Sequence, residues 1–171
     1  IASCLVGSEM CIRDRASSAG FTTTISGLMM GGYFVGFFGG SHLVPKILQD
    51  VGHIRTFGAL SAIASAAVLV HIIAVDPVLW TVMRLFTGFA YAGMYIVVES
   101  WLNDESTNET RGQMLAVYMI ITMAGLSVGQ LFGGLDDGIT NILFLTVSIL
   151  VSVAVVPVSY THLTLPTTPY V

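Results

Sequence analysis

The sequence predicts an all-α fold of the polytopic transmembrane class, a bundle of five spanning helices, and three observations predict it. Of 171 residues, 54% are hydrophobic and only 9% charged, far below the roughly 25% of an ordinary soluble domain. Six Lys and Arg with ten Asp and Glu cannot cover the surface that a lone domain of this size turns to water. The charges fall in short clusters between apolar runs close to the ~20 residues that cross a bilayer. Eighteen glycines suit the same solvent, because Gly is commoner in membrane helices than in soluble ones. A net charge of −4 without a basic cluster gives no electrostatic footprint for nucleic acid or an anionic surface.

The two ends differ from this bundle. The chain opens on Ile1; residues 3–15 read SCLVGSEMCIRDR and residues 158–171 read VSYTHLTLPTTPYV, strings similar to translated sequencing-adapter DNA. Segments 1–15 and 158–171 are therefore expected to be non-native, like a fusion scar, with the fold carried by 16–157. A native pre-helix segment and a Pro-rich tail are the alternative. Both cysteines, Cys4 and Cys11, fall in the first segment, so the sequence predicts no disulfide, metal site or cofactor.

The first span, 21–48, is Gly-rich and interrupted only by His42 and Lys46 near its end. Gly32, Gly36 and Gly40 recur at i, i+4 and i+8, which aligns them as a helix-packing seam where backbones approach closely. The second span, 56–75, follows the polar stretch 49–55, and the third, 78–102, follows Asp76 and Pro77. Trp80 and Trp101 bracket the third span as interface anchors do. The fourth, 113–135, repeats the seam spacing at Gly125, Gly129 and Gly133, and the fifth is 139–156. The connections are too short for another domain, so consecutive spans are expected to be antiparallel neighbours. Lys46, Arg55 and Arg111 flank the loops after the first and third spans, whereas the other loops carry Asp76, Asp136 and Asp137. The excess of positive charge predicts that the first pair of loops is cytoplasmic.

The third span carries the chemistry. Arg84 lies inside it and Glu99 near its far end, and an ionisable residue within a span costs at least ~2.5 kcal/mol, which makes it a functional candidate. At about 100° per residue, Gly88, Tyr91, Tyr95 and Glu99 fall within roughly 60° of Arg84. That polar and aromatic face is expected to line the bundle interior or a water-filled path. Arg84 and Glu99 are ~22 Å apart along the helix and cannot pair. Arg84 is a candidate for substrate, coupling or gating, or for a structural bond; Glu99 is read as structural, within reach of Arg111. Gln130 in the fourth span either bonds across helices or meets a cavity. His42 and His71, isolated near span ends, read as interfacial or packed. The sequence contains no G-x-S-x-G elbow, P-loop or dinucleotide turn, and so no enzyme signature.

Three landmarks within residues 20–157 are similar to those of the major facilitator superfamily, specifically helices two to six of its N-terminal six-helix half. Residues 50–55, DVGHIR, resemble the loop G-x-x-x-D-R-x-G-R-R, with Gly52 and Arg55 retained but Pro45, Gln49 and Asp50 departing from it. Arg84 to Gly88 resembles the R-x-x-x-G motif of helix four. GLSVGQLFGG, residues 125–134, is similar to the Gly-rich motif of helix five, with Gln130 in place of its Pro. The run from Tyr95 to Asn103, with Arg111, Gly112 and Tyr118, resembles a bacterial branch typified by YcaD.

The resemblance implies a fragment of a secondary transporter, not an enzyme, that moves a small solute across the bacterial cytoplasmic membrane by alternating access. Its partners would be the bilayer, the solute, and the first helix and C-terminal six-helix half of a parent chain. Arg84, Tyr91, Tyr95 and Gln130 would face the solute path, and Gly52, Arg55, Glu99 and Arg111 would form cytoplasmic gating contacts. Gly32, Gly36, Gly40, Gly88, Gly125, Gly129 and Gly133 would serve helix packing. The alternative is a non-transporting membrane scaffold or accessory subunit, in which Arg84 and Glu99 only pin helices together.

Overall fold

The computed structural model describes residues 16, 20, 22–73, 75–133 and 149–153. Four long helices form it: α1 (Thr23–Val51), α2 (His53–Ile73), α3 (Pro77–Glu105) and α4 (Arg111–Gly133). Residues 149–153 add a short helical piece; the remainder of the predicted fifth span and both unusual ends lie outside the described residues. No strand occurs among the described residues. Stretches of α2, α3 and α4 are each long and apolar enough to cross a membrane. α1 is as long as α3, but its Gly, Ser, Thr and His residues dilute its apolar character.

The boundaries follow from local chemistry. α1 ends at Gly52, whose N–H donates to the Leu48 carbonyl at 3.0 Å and whose φ of +87° is a conformation glycine adopts without steric cost. α2 starts at once, with the Thr56 hydroxyl donating to the Gly52 carbonyl at 2.8 Å, so it begins three residues before the predicted span 56–75. α3 is started by Asp76, whose Oδ1 accepts the Leu79 N–H at 2.8 Å, with Pro77 at the first helical position, where its missing N–H has no helical partner to lose. Pro45 lies inside α1, and withholds the N–H that the Ser41 carbonyl would accept.

α3 is the centre of the assembly, lying along α1 and against α2, whereas α1 meets α2, and α3 meets α4, over short stretches only. Chain order therefore does not decide the main interface: α1 pairs most extensively with α3, not with its immediate successor. The contacts Gly32 to Thr81, Gly36 to Leu85 and Gly40 to Phe89 advance together, so α1 and α3 run parallel. Ser61 against Met94 and His53 against Ser100 run in opposite sense, so α2 and α3 are antiparallel. The core between them includes Val44, Phe57, Leu60, Ala64, Val68, Tyr91, Met94 and Val97. Val151 is buried as well, and the Ser152 hydroxyl lies 3.0 Å from that of Ser65 on α2. The outer faces of α1 and α4 remain apolar and exposed, at Phe34, Phe38, Ile120 and Ile121 among others, as lipid-facing or protein-covered membrane helices require.

Candidate functional site: a buried arginine between three helices

Arg84 sits about two turns into α3 on its buried face, which repeats at Trp80, Arg84, Thr87, Gly88 and Tyr91, the helical period of one face. Its side chain is only 1% exposed. The guanidinium carbon lies 5.8 Å from the centre of the Tyr33 ring on α1, within the range of a cation–π contact. Gly88 brings that ring close: a side chain there would collide with the Tyr33 backbone carbonyl, so the glycine lets α1 approach one turn beyond Arg84. Gly36 does the same in the opposite direction against Leu85.

The second helix completes the surroundings. His71 of α2 is fully buried, stacks obliquely on Trp80 with ring centres 5.3 Å apart, and lies within electrostatic reach of Arg84. Its Nδ1 is 2.7 Å from the Ala67 carbonyl; a carbonyl only accepts, so Nδ1 carries the proton. Beside Arg84 a cavity of about 260 Å³ is lined by Ala16, Thr23, Ser26, Gly27, Met29 and Met30. Two hydroxyls, two thioethers and one guanidinium thus meet at one void.

The predicted polar stripe is divided. Arg84, Gly88 and Tyr91 are buried, Tyr95 is half-buried and Glu99 is exposed. Glu99 lies within electrostatic reach of Tyr95 and of Tyr118 on α4. The expected contact between Glu99 and Arg111 is not formed: among the described residues the ion pair at this end joins His53 to Asp104, and Arg55 and Arg111 are exposed. Gly52 occupies the α1–α2 turn. Gly125 is half-exposed on α4, Gly129 and Gly133 continue that helix, and the side chain of Gln130 lies outside the described residues. Trp80, expected at an interface, is instead wholly buried; its ring fills the space beside His71.

Tyr33, His71 and Trp80 were not legible as site residues. Tyr33 stands one residue after Gly32 of the seam, which is the only sequence signal that it faces another helix. Among the described residues no three His, Cys, Asp or Glu side chains converge as metal ligands.

The family model of the Major Facilitator Superfamily matches residues 12–170. The chain belongs to the Major Facilitator Superfamily. Relatives within the Major Facilitator Superfamily agree: an MFS-type transporter of Yersinia enterocolitica is 31% identical over 80% of this chain and 36% of its own length. One of an Enterobacter species is 31% identical over 61% of this chain and 28% of its own. YcaD of Escherichia fergusonii, also described as an MFS-type transporter, is 30% identical over the same shares. The chain thus spans about a third of the length of these relatives. No solved structure matches it. Family membership and the apolar helices make it an integral membrane protein.

Proposed function

We propose that the chain is part of a secondary transporter that moves a small solute across the bacterial cytoplasmic membrane by alternating access. The observation that carries the reading is Arg84, a cation buried about two turns into α3 beside a cavity of about 260 Å³. Burying a guanidinium in a membrane domain is costly. A solely structural helix bundle gains little from it, since small residues already provide the α1–α3 contact. A solute or coupling-ion site gains a fixed charge in a low-dielectric setting, where charge acts most strongly.

In this reading Arg84, Tyr91, Tyr95 and Gln130 face the solute path. Gly52, Arg55, Glu99 and Arg111 act at the cytoplasmic ends, and the loops after α1 and α3 are cytoplasmic because Lys46, Arg55 and Arg111 collect there. The close glycine seam lets α1 and α3 move as one unit when one bundle rocks against another supplied by further chain. The deciding experiment is solute uptake into proteoliposomes by the protein expressed at the length of its relatives. Arg84→Ala and Arg84→Lys are expected to lose uptake at unchanged expression and membrane insertion. Wild-type uptake by Arg84→Ala would overturn the assignment of Arg84.

A further inference from the structure

We infer that the cavity beside Arg84 takes a small monocarboxylate, its charged end at the guanidinium and an apolar chain or ring filling the rest. The inference rests on the reading of Arg84 as a solute-site residue and names the chemical class that this site selects.

One face of α1 builds the wall. Thr23, Ser26, Gly27 and Met30 line the cavity with Met29 and Arg84, and the first four stand at i, i+3, i+4 and i+7, the spacing of a single helical stripe. Tyr33 continues that stripe and sets its ring 5.8 Å from the Arg84 guanidinium carbon. Thr23 and Gly27 are exposed, Ser26 and Met30 are half-buried, and Met29 and Arg84 are buried. The void therefore has a hydroxyl-bearing rim at the start of α1 and a cationic floor at Arg84. A Cβ at Gly27 would meet nothing within 4 Å, so the glycine keeps one side of the rim set back.

Charge selects first. Among the described residues that line the cavity none is acidic, and the fixed charge is positive. A cationic solute would meet Arg84 as a like charge in a low-dielectric setting, where repulsion is strongest. A guanidinium carries five N–H donors in a planar fork, enough to serve both oxygens of a carboxylate besides its contacts within the protein. A dianion would bring a second charge into the same setting, where an unpaired charge is expensive. The first turn of α1 holds no acidic residue, so the positive end of its dipole adds a weaker attraction of the same sign at the rim.

The rest of the wall selects the remainder of the solute. Beyond the charge it offers the thioethers of Met29 and Met30 and the methyl group of Ala16, with the hydroxyl-bearing Thr23 and Ser26 toward the rim. A sugar would leave most of its hydroxyls unpaired against such a surface, whereas an apolar chain or ring gains by leaving water, and methionine adapts to either shape. A volume of about 260 Å³ is room for roughly nine waters at ~30 Å³ each, which suits a monocarboxylate with about that many heavy atoms, such as benzoate or hexanoate.

The test measures saturation binding of radiolabelled benzoate to the protein expressed at the length of its relatives, in lipid nanodiscs at neutral pH with empty discs subtracted. Unlabelled hexanoate is expected to compete; benzylammonium, benzyl alcohol and glucose are not. Arg84→Gln should weaken benzoate binding about 10–100-fold, the worth of charge-assisted hydrogen bonds, and Arg84→Lys should weaken it less, because it keeps the charge without the fork. Should Arg84→Gln fail to fold, Gly27→Leu decides the same point. Its side chain enters the void and should abolish binding, whereas Gly31→Leu, one turn on, equally free of close atoms and outside the lining, should leave binding unchanged. Benzylammonium competing as strongly as hexanoate, or benzoate binding that survives either Arg84→Gln or Gly27→Leu, would overturn the monocarboxylate assignment. Uptake into proteoliposomes separates this assignment from the transport reading. Arg84-dependent uptake of another class of solute by protein that binds no benzoate would overturn the assignment and leave transport standing. Arg84-dependent benzoate binding without uptake of any solute would support the site and overturn transport.

Discussion

Adding one methyl group at Gly36 or Gly88 is expected to push α1 and α3 apart. A Cβ at Gly36 would collide with the Leu85 carbonyl and one at Gly88 with the Tyr33 carbonyl. Both obstacles are backbone and cannot rotate aside. At Gly40 the new carbon would lie 2.6 Å from the Phe89 carbonyl oxygen and at Gly32 3.0 Å from that of Thr81, whereas Gly31 and Gly39 have nothing within 4 Å. Overpacking of this kind costs about 1–3 kcal/mol, while Ala in place of Gly in a helix returns about 1 kcal/mol. Gly36→Ala and Gly88→Ala should therefore lose up to about 2 kcal/mol and Gly39→Ala should gain up to about 1 kcal/mol. Gly40→Ala should lie between these limits and Gly32→Ala near neutral. The measurement is reversible unfolding in mixed micelles on titration with SDS, followed by Trp fluorescence. The double variant Gly36→Ala/Gly88→Ala should cost less than the sum, because the first methyl already separates the helices that the second would separate. Equal midpoints for Gly36→Ala and Gly39→Ala would refute the close parallel crossing.

The same unfolding assay checks three further expectations. Trp80→Ala should cost about 3–5 kcal/mol, the range for a buried aromatic ring, and the half-buried Trp101→Ala less than half of that; equal losses would restore an interface-anchor role to both. Asp76→Ala should cost about 1 kcal/mol through the lost N-cap, with Asp76→Asn largely sparing it. Glu99→Gln and Arg111→Gln should each change stability by less than about 0.5 kcal/mol and combine additively, as surface charges that do not touch each other do; a coupling energy above that would mean that the two side chains meet.

Much of the fold was legible because membrane helices are written locally. Apolar length between charge clusters marks α2, α3 and α4, and Asp76 with Pro77 marks a helix start in the sequence itself. The spacing of Gly32, Gly36 and Gly40 marked a close-packing face, and Arg84 stood out because a charge inside an apolar run is expensive wherever the helix lies. The site was less legible. Glu99 shares the helical face of Arg84, but the face leaves the three-helix core beyond Tyr95, so periodicity alone could not separate a buried end from an exposed one. His71 and Trp80, taken singly, resembled interface residues; they become a buried pair only because α2 returns antiparallel to α3.

The sequence by itself determined that this protein is a bundle of apolar helices, where most of those helices begin, and which residue puts a charge inside them. Only the tertiary structure decided that α1 chooses α3 in parallel, that Tyr33 comes under Arg84, and that among the described residues His53 rather than Arg111 finds an acidic partner. The reason is physical. Lipid tails are as apolar as leucine side chains, so hydrophobicity places helices in the bilayer without selecting their neighbours. Selection falls to backbone approach at glycines and to a few polar contacts, and these depend on where distant segments meet.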